Sequence, residues 1–204
     1  MDVDHVVVAV PELDTAVRDF EDSYGLVSVE GGVHPGWGTA NRIVPLGNAY
    51  LELIAVVEPA QVDQNPLGPL LRGIPPGETR LLAWVARPDD IDEVAMRLGI
   101  EAESGSRVRP DGSEIRWRIA GMRQAVAEPC LPFFIEWSKG TELPGAAVTP
   151  TPARLEGLSL KGDAAKLASW IGPNQLTLAI EPGSPAVTSV QISTDTGRQV
   201  TLRT

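Results

Sequence analysis

The chain has 204 residues, a formal net charge of −10 and an apolar fraction of 43%, which is ordinary for a globular protein. An acidic chain without a basic stripe fits neither nucleic-acid binding nor attachment to an anionic membrane surface, so we expect neither partner. Cys130 is the single cysteine, which excludes an intramolecular disulfide and a zinc site built from several cysteines.

The N-terminal segment carries no basic stretch and no cleavage pattern of a signal peptide. No apolar run approaches the ~20 residues that a membrane-spanning helix needs. We therefore expect a cytoplasmic protein.

The first part of the chain predicts a β-α-β-β-β unit. A β-branched strand is followed by a helix that opens at Pro11 with acids in its first turn and stops at Gly25. A glycine-rich loop then leads to two strands joined by the tight turn Gly47-Asn48. The predicted strands cover residues 6–10, 26–30, 41–46 and 50–57.

A second unit in the same order follows a proline-rich connector at residues 58–79, which we expect to lack regular structure. Its helix starts at Pro88 and ends at Gly99, and the turn Pro110-Asp111-Gly112 separates two of its strands. We interpret the two units, residues 1–57 and 80–138, as an internal duplication. The predicted strands of this second unit cover residues 81–87, 100–108, 114–120 and 133–137.

A third, abbreviated β-α-β-β-β half-module occupies residues 150–204. It is too short to bury much apolar surface alone, so it packs on the first two units or on another subunit, and a homodimer stays open. The sequence therefore predicts an α+β protein. Paired βαβββ modules within residues 1–140 form a curled, mostly antiparallel sheet cup, with the C-terminal half-module added.

Three ionisable residues stand out inside predicted strands. The first and last strands of a βαβββ unit lie side by side, so His5 and Glu52 are expected to point into one concave surface. Glu52 and Glu136 both interrupt apolar strands, where an unpaired carboxylate is costly. Imidazole and carboxylate together suit zinc, iron, manganese or nickel.

Three segments of the chain resemble the glyoxalase-like domains of the vicinal oxygen chelate superfamily. They are the opening Asp4-His5-Val6-Val7-Val8-Ala9-Val10-Pro11, the loop His34-Pro35-Gly36-Trp37-Gly38-Thr39-Ala40-Asn41 and the strand Tyr50-Leu51-Glu52-Leu53-Ile54.

The resemblance implies a divalent metal ion held by His5, Glu52 and Glu136, with Glu136 or Glu52 as general base. A fourth ligand is expected at Leu82, which cannot bind a metal, so the implied site is incomplete. His34 could complete it from the loop.

Other residues are candidates for holding a substrate. Glycines in the loop allow the backbone to approach a ligand, and an aromatic side chain there can form a pocket wall. Arg116 and Arg118 share one face of a strand; they hold an anion if that face is the cup and are solvated if it is not. The candidate substrate-binding residues are His34, Trp37, Asn41, Arg42, Arg116 and Arg118.

The resemblance implies a metal-dependent lyase or isomerase that acts on a small oxygenated molecule. The alternative is a metal-free protein of the same fold that binds or sequesters a drug or antibiotic. A third reading makes Glu52 and Glu136 structural carboxylates, paired with Arg42, Arg116 or Arg118.

Overall fold

The structure is a computed structural model that describes residues 1–108, 114–144 and 153–204. The first unit has the predicted order of elements. They are β1 (Asp2–Ala9), α1 (Leu13–Tyr24), β2 (Val29–His34), β3 (Thr39–Pro45) and β4 (Tyr50–Val56).

The second unit repeats this order with one additional helix before its last strand. Its elements are β5 (Arg80–Arg87), α3 (Ile91–Leu98), β6 (Ala102–Val108), β7 (Glu114–Ala120), α4 (Met122–Ala127) and β8 (Phe133–Trp137). The predicted turn at residues 110–112 lies outside the described residues.

The two main helices begin and end with the same local devices. Glu12 caps α1 and Asp90 caps α3, each side chain accepting backbone N–H groups of the first turn. Gly25 and Gly99 end these helices in the left-handed conformation, with φ of 70° and 64°. The matching caps agree with the duplication inferred from the sequence.

The connector between the units is more regular than expected. A 3-10 turn covers Val62–Gln64, and a short helix, α2, covers Gly68–Arg72. The prediction of an irregular connector was wrong here because Pro69 lies in the first turn of α2, where a missing N–H costs no hydrogen bond.

Eight strands form one curled mixed sheet in the order β2-β3-β4-β1-β5-β8-β7-β6. The first and last strands of each unit, β1 with β4 and β5 with β8, pair in parallel. The antiparallel pairing of β1 with β5 joins the two units. The predicted α+β cup is confirmed, and its concave face brings both units to one site.

The C-terminal segment forms a second sheet of its own. Its elements are β9 (Arg154–Lys161), α5 (Ala164–Ile171), β10 (Leu178–Glu181), β11 (Ala186–Ser193) and β12 (Gln199–Arg203), in the sheet order β10-β9-β11-β12. The chain order matches the predicted half-module, but β10 lies beside β9, unlike the strand that follows the helix in the first two units.

The C-terminal sheet packs on the outer face of the large sheet within the same chain. Leu158, Val190 and Ile192 belong to one hydrophobic cluster with Trp84 and Phe134 of the second unit. A separate apolar cluster, which includes Val7, Ile54 and Ile135, lies on the concave side. Among the described residues, no helix is long and apolar enough to span a membrane.

Candidate functional site in the cup

A cavity of about 730 Å³, including its open mouth, lies on the concave face of the large sheet. Its lining combines a few polar side chains with many apolar ones. They are His5, His34, Trp37, Asn41, Ile43, Tyr50, Glu52, Ile54, Asn65, Leu67, Trp117, Ile119, Met122, Phe133, Ile135, Trp137 and Pro144.

His5 projects from β1 into this cavity and is held on both sides. Its Nδ1 lies 2.7 Å from Asp4 Oδ1, and its ring stacks on Tyr50 with the centroids 4.5 Å apart. Because an ionised carboxylate only accepts hydrogen bonds, Nδ1 carries the proton in this contact. Nε2 therefore faces the cavity, 3.8 Å from Glu52 Oε2.

Asp4 is almost fully buried, and three groups share its carboxylate. Burial by itself raises the pKa of Asp4, but the hydrogen bond and charge of His5, together with Trp137 and Arg87, outweigh it and lower the pKa overall. Trp137 Nε1 and Arg87 each donate to Oδ2 at 3.0 Å. Asp4 is therefore ionised near neutral pH and holds His5 in one orientation.

Glu52 lies two residues beyond Tyr50 on β4, on the same face of the strand as Tyr50. Its Oε1 accepts a hydrogen bond of 2.5 Å from Asn41 Nδ2. Asn41 Oδ1 in turn accepts from Gly32 N at 2.8 Å, which fixes the amide with its NH₂ group toward Glu52. The carboxylate is held in place without an arginine partner among the described residues.

His34 approaches Glu52 from the end of β2. Its Nε2 is 3.7 Å from Glu52 Oε1, and its Nδ1 is 2.8 Å from the hydroxyl of Thr39. The buried Asn65 donates to the same hydroxyl at 3.1 Å. The structure therefore brings His5, His34 and Glu52 to one patch, which we call the polar floor.

The donor atoms of the polar floor suit a transition metal. Two imidazole nitrogens and one carboxylate are ligands that zinc and iron accept, and a ligating His commonly has its other nitrogen bonded to a carboxylate, as His5 has. As placed, however, no group of three or more His, Cys, Asp or Glu side chains in the described parts of the chain is arranged to hold a metal ion.

A sequence profile described as the glyoxalase-like domain matches residues 3–174. The chain belongs to this glyoxalase-like family. The match covers both βαβββ units and continues through β9 and α5 of the C-terminal segment. The family and the paired-unit cup inferred from the sequence are thus confirmed. No curated protein sequence matches the chain.

Solved structures with this architecture include a hypothetical protein from Staphylococcus aureus. It is 14% identical, covers 98% of both chains and gives a TM-score of 0.71, so the likeness shows the fold. Methylmalonyl-CoA epimerase from Mycobacterium tuberculosis is 18% identical with a TM-score of 0.45, covering 66% of this chain and 85% of the epimerase. A variant of the Streptomyces coelicolor epimerase is 17% identical with a TM-score of 0.47, covering 69% of this chain and 96% of its own.

The glyoxalase-like domain places Glu136 away from the polar floor. Its neighbours Ile135 and Trp137 line the cavity, and side chains alternate along a strand, so Glu136 points to the opposite face. There it lies 3.6 Å from Arg118. The expected convergence of Glu136 with His5 and Glu52 is not found.

Glu136 lies on the outer face because the sequence-based alignment of β4 with β8 was shifted by one residue. His5 pairs with Tyr50 in the first unit, and Val85 pairs with Phe133 in the second. The position equivalent to Glu52 is therefore Ile135, two residues beyond Phe133. Because a one-residue shift reverses the face, aligning Glu52 with Glu136 put the second carboxylate in the cup by mistake. Leu82, the expected position of the fourth ligand, is an apolar residue of the concave cluster, and the structural counterpart of His5 is Val85 instead.

The arginines proposed to bind substrate also lie outside the cavity lining. Arg42 is 3.7 Å from Asp14, Arg116 pairs with Glu114 at 2.8 Å, and Arg118 pairs with Asp92 at 2.5 Å. Trp117, between the last two arginines, is the side chain that faces the cup. Of the predicted substrate-binding residues, His34, Trp37 and Asn41 line the cavity.

Sequence reasoning missed several residues of the site. Asp4 was part of the quoted opening segment but had no assigned role, and its position beside His5 on a strand normally places two side chains on opposite faces. Thr39 and Asn65 were also missed. The apolar lining that the second unit contributes through Ile119, Phe133 and Ile135 was missed as well. Its alternating pattern in β8 was the signal that could have revealed it.

Proposed function

We propose that the protein is a lyase or isomerase that removes a proton from the carbon next to a carbonyl group of a small oxygenated molecule. The observation that carries the proposal is the arrangement of His5 between two carboxylates, with Asp4 at its Nδ1 and Glu52 near its Nε2. A buried ionised carboxylate holds an imidazole whose Nε2 opens into a cavity, with a second carboxylate 3.8 Å away. This combination is typical of general acid–base sites.

In this proposal His5 accepts the proton at Nε2. The proton on Nδ1 stays with His5, and the adjacent Asp4 carboxylate stabilises the imidazolium that forms. Glu52, fixed by Asn41, faces the same space and can receive the proton from His5 or return it to a different carbon of the substrate. Return to the substrate gives an isomerase; loss of a leaving group from the next carbon gives a lyase.

The side chains of the polar floor would alternatively bind a divalent metal ion. His5, His34 and Glu52 would hold it, and it would polarise the carbonyl oxygen of the substrate as a Lewis acid. The Nε2 lone pair of His5 can bind a metal or accept a proton but cannot do both at once. Metal content of protein purified without chelator or affinity tag therefore distinguishes the two roles of His5.

The test uses exchange of α-protons in D₂O, followed by proton NMR, with acetoin and benzylacetone as probes. We expect the wild type to accelerate exchange, and His5→Asn and Glu52→Gln to reduce the acceleration by about 100-fold or more. Glu136→Gln is the matched control, because this carboxylate lies on the outer face; its rate should stay within about threefold of the wild type.

Two results would remove the proposal. One is a wild-type exchange rate no faster than buffer with both probes. The other is an equal rate in the wild type and in folded His5→Asn and Glu52→Gln proteins, with folding checked by circular dichroism. Bound metal that is lost in Glu52→Gln but kept in Glu136→Gln would reassign His5 from proton acceptor to metal ligand.

The alternative function is metal-free binding of a small molecule. The observation that favours it is the second unit's half of the cavity, where the positions equivalent to His5 and Glu52 are Val85 and Ile135. Among the described residues that line the cavity, the ionisable ones all belong to the first unit. Stoichiometric binding of benzylacetone without proton exchange and without metal would favour this alternative.

A further inference from the structure

The cavity has two chemically different halves, and this division limits the ligand it can take. The first unit supplies the polar floor of His5, His34 and Glu52. The second unit supplies an apolar wall, which we define as Trp117, Ile119, Met122, Phe133, Ile135 and Trp137. A molecule that fills both halves has one end rich in oxygen and a body of apolar surface.

The charge of the cavity limits the ligand further. Among the described lining residues there is no lysine or arginine, and Glu52 contributes a carboxylate. Behind the floor, charged groups are paired with each other: Arg87 contacts Asp4 at 3.0 Å and Asp2 at 3.5 Å. A buried anion needs a positive partner. The groups behind the floor are already paired, and the imidazoles of His5 and His34 both face the Glu52 carboxylate, at 3.8 and 3.7 Å, which a second anion would have to approach.

The apolar wall is shaped for a flat group. The indole rings of Trp117 and Trp137 meet edge to face with centroids 5.7 Å apart, so they form a corner. Phe133 stands edge-on to the His5 ring at 6.2 Å, where the apolar wall reaches the polar floor. An aromatic or branched aliphatic body packed in this corner places its polar end beside His5 and Glu52.

We infer that the ligand is an uncharged carbonyl compound with an aromatic or branched aliphatic body, and that carboxylates and phosphates of the same shape are rejected. The carbonyl part of this inference rests on the proposed function, because it is the group whose neighbouring carbon His5 and Glu52 would act on. The neutrality and the apolar body rest on the cavity alone. Charged thioesters of coenzyme A are outside this class.

Three probes, each changed from benzylacetone in one respect, test the inference by calorimetry. Benzylacetone is the neutral ketone, hydrocinnamate replaces its methyl ketone by a carboxylate, and butanone lacks the phenyl body. We expect benzylacetone to bind at least about 10-fold more tightly than either of the others. Hydrocinnamate binding as tightly as benzylacetone would overturn the neutrality, and butanone binding as tightly would overturn the apolar body.

Substitutions at Glu52 and Trp117 test which side chains cause the discrimination against a carboxylate and the preference for an apolar body. Glu52→Gln removes the carboxylate, so hydrocinnamate should gain at least about fivefold in affinity while benzylacetone changes by less than about threefold. Trp117→Ala should weaken benzylacetone by about 10-fold. Arg116→Ala, on the neighbouring residue but the outer face, is its control and should leave all three affinities unchanged. Equal effects of Trp117→Ala and Arg116→Ala would overturn the placement of the ligand.

The binding experiment can contradict the inferred ligand class without contradicting the proposed function, and the exchange test can do the reverse. Selective binding of benzylacetone without α-proton exchange keeps the inferred ligand class and ends the proposed chemistry. Exchange that proceeds as fast with butanone as with benzylacetone keeps the chemistry and ends the inferred apolar body.

Discussion

Asp4 Oδ1 lies 2.7 Å from His5 Nδ1, although the two residues are neighbours on one strand. The pairing of β1 with β5 explains the contact. Val3 pairs with Ala86 and His5 pairs with Val85, so Asp4 is an extra residue in the ladder. Such a bulge redirects a side chain, and here it places a carboxylate beside the imidazole that opens into the cavity.

The first prediction is that Asp4→Asn lowers the α-proton exchange rate by about 100-fold, with benzylacetone affinity within about threefold of the wild type. Asparagine keeps the size of the side chain but removes the charge that stabilises the imidazolium. Its amide can also present an N–H to Nδ1, which favours the wrong tautomer of His5. NMR exchange rates and calorimetric affinities measure the two effects separately.

Asp2→Asn is the matched control for this variant. Asp2 contacts the same Arg87 at 3.5 Å but is exposed and does not touch His5. Its exchange rate should equal that of the wild type. A rate loss of similar size in both variants would mean that Arg87 or the general charge matters, rather than the Asp4–His5 contact.

The second prediction concerns stability in acid. The folded-state pKa of Asp4 is below its ordinary value of 3.8, so its stabilising contribution is complete above that value. As the pH falls through 3.8 toward the lower folded pKa, the unfolded chain binds a proton first and this contribution is lost. Between about pH 7 and pH 3, the free energy of unfolding should fall more in the wild type than in Asp4→Asn.

Urea unfolding at the two pH values measures this difference. Asp2→Asn again serves as the control and should follow the wild type. An equal loss in the wild type and in Asp4→Asn would show that Asp4 does not contribute to acid unfolding.

The third prediction concerns the support of Glu52. A Cβ at Gly31 would lie 2.1 Å from Asn41 Oδ1 and 2.5 Å from the Asn41 carbonyl oxygen, both impossible distances. Gly31→Ala should therefore displace Asn41 from Glu52 and destabilise the fold by about 1–3 kcal/mol. The exchange rate should also fall, because Glu52 loses its fixed position.

Gly73→Ala is the control for the alanine substitution. Gly73 has a negative φ of −76° at the end of α2, and a Cβ there would meet its nearest atom at an ordinary 3.4 Å. Stability and exchange rate should be close to those of the wild type. Wild-type exchange in a folded Gly31→Ala protein would contradict the role of Asn41 in holding Glu52.

Local patterns predicted most of the fold because they depend on neighbours in the chain. Helix ends at Gly25 and Gly99 and the tight turn at Gly47 follow from local conformation, and the structure has them all. Helix α4 was missed because Met122–Ala127 is short and carries no capping side chain. The N-cap residue before this helix is Gly121, which has no side chain to accept a backbone N–H of the first turn.

The candidate site was only partly predictable because it depends on register between distant strands. The predicted pairing of β1 with β4 placed His5 and Glu52 correctly on one face. The same argument failed for Glu136, because periodicity alone does not show whether Phe133 or Phe134 is the residue of the second unit that is equivalent to Tyr50. The bulge at Asp4 likewise arises from pairing with β5 and has no signature within β1.

The fourth prediction separates the cavity from the packing of the C-terminal sheet by means of two tryptophans. Trp170 of α5 donates to the Pro132 carbonyl at 2.8 Å, and its ring lies 5.8 Å from that of Phe134. Trp37 lines the cavity from a loop, and its ring centroid lies 5.9 Å from that of His34.

Trp170→Ala should destabilise the fold by about 2–4 kcal/mol and leave the benzylacetone affinity of the folded protein unchanged. Trp37→Ala should weaken that affinity by about fivefold with a stability change below about 1 kcal/mol. Urea unfolding and calorimetry measure the two effects. A loss of affinity in folded Trp170→Ala as large as that in Trp37→Ala would show that the C-terminal sheet shapes the cavity, whereas the contacts place it only behind the large sheet.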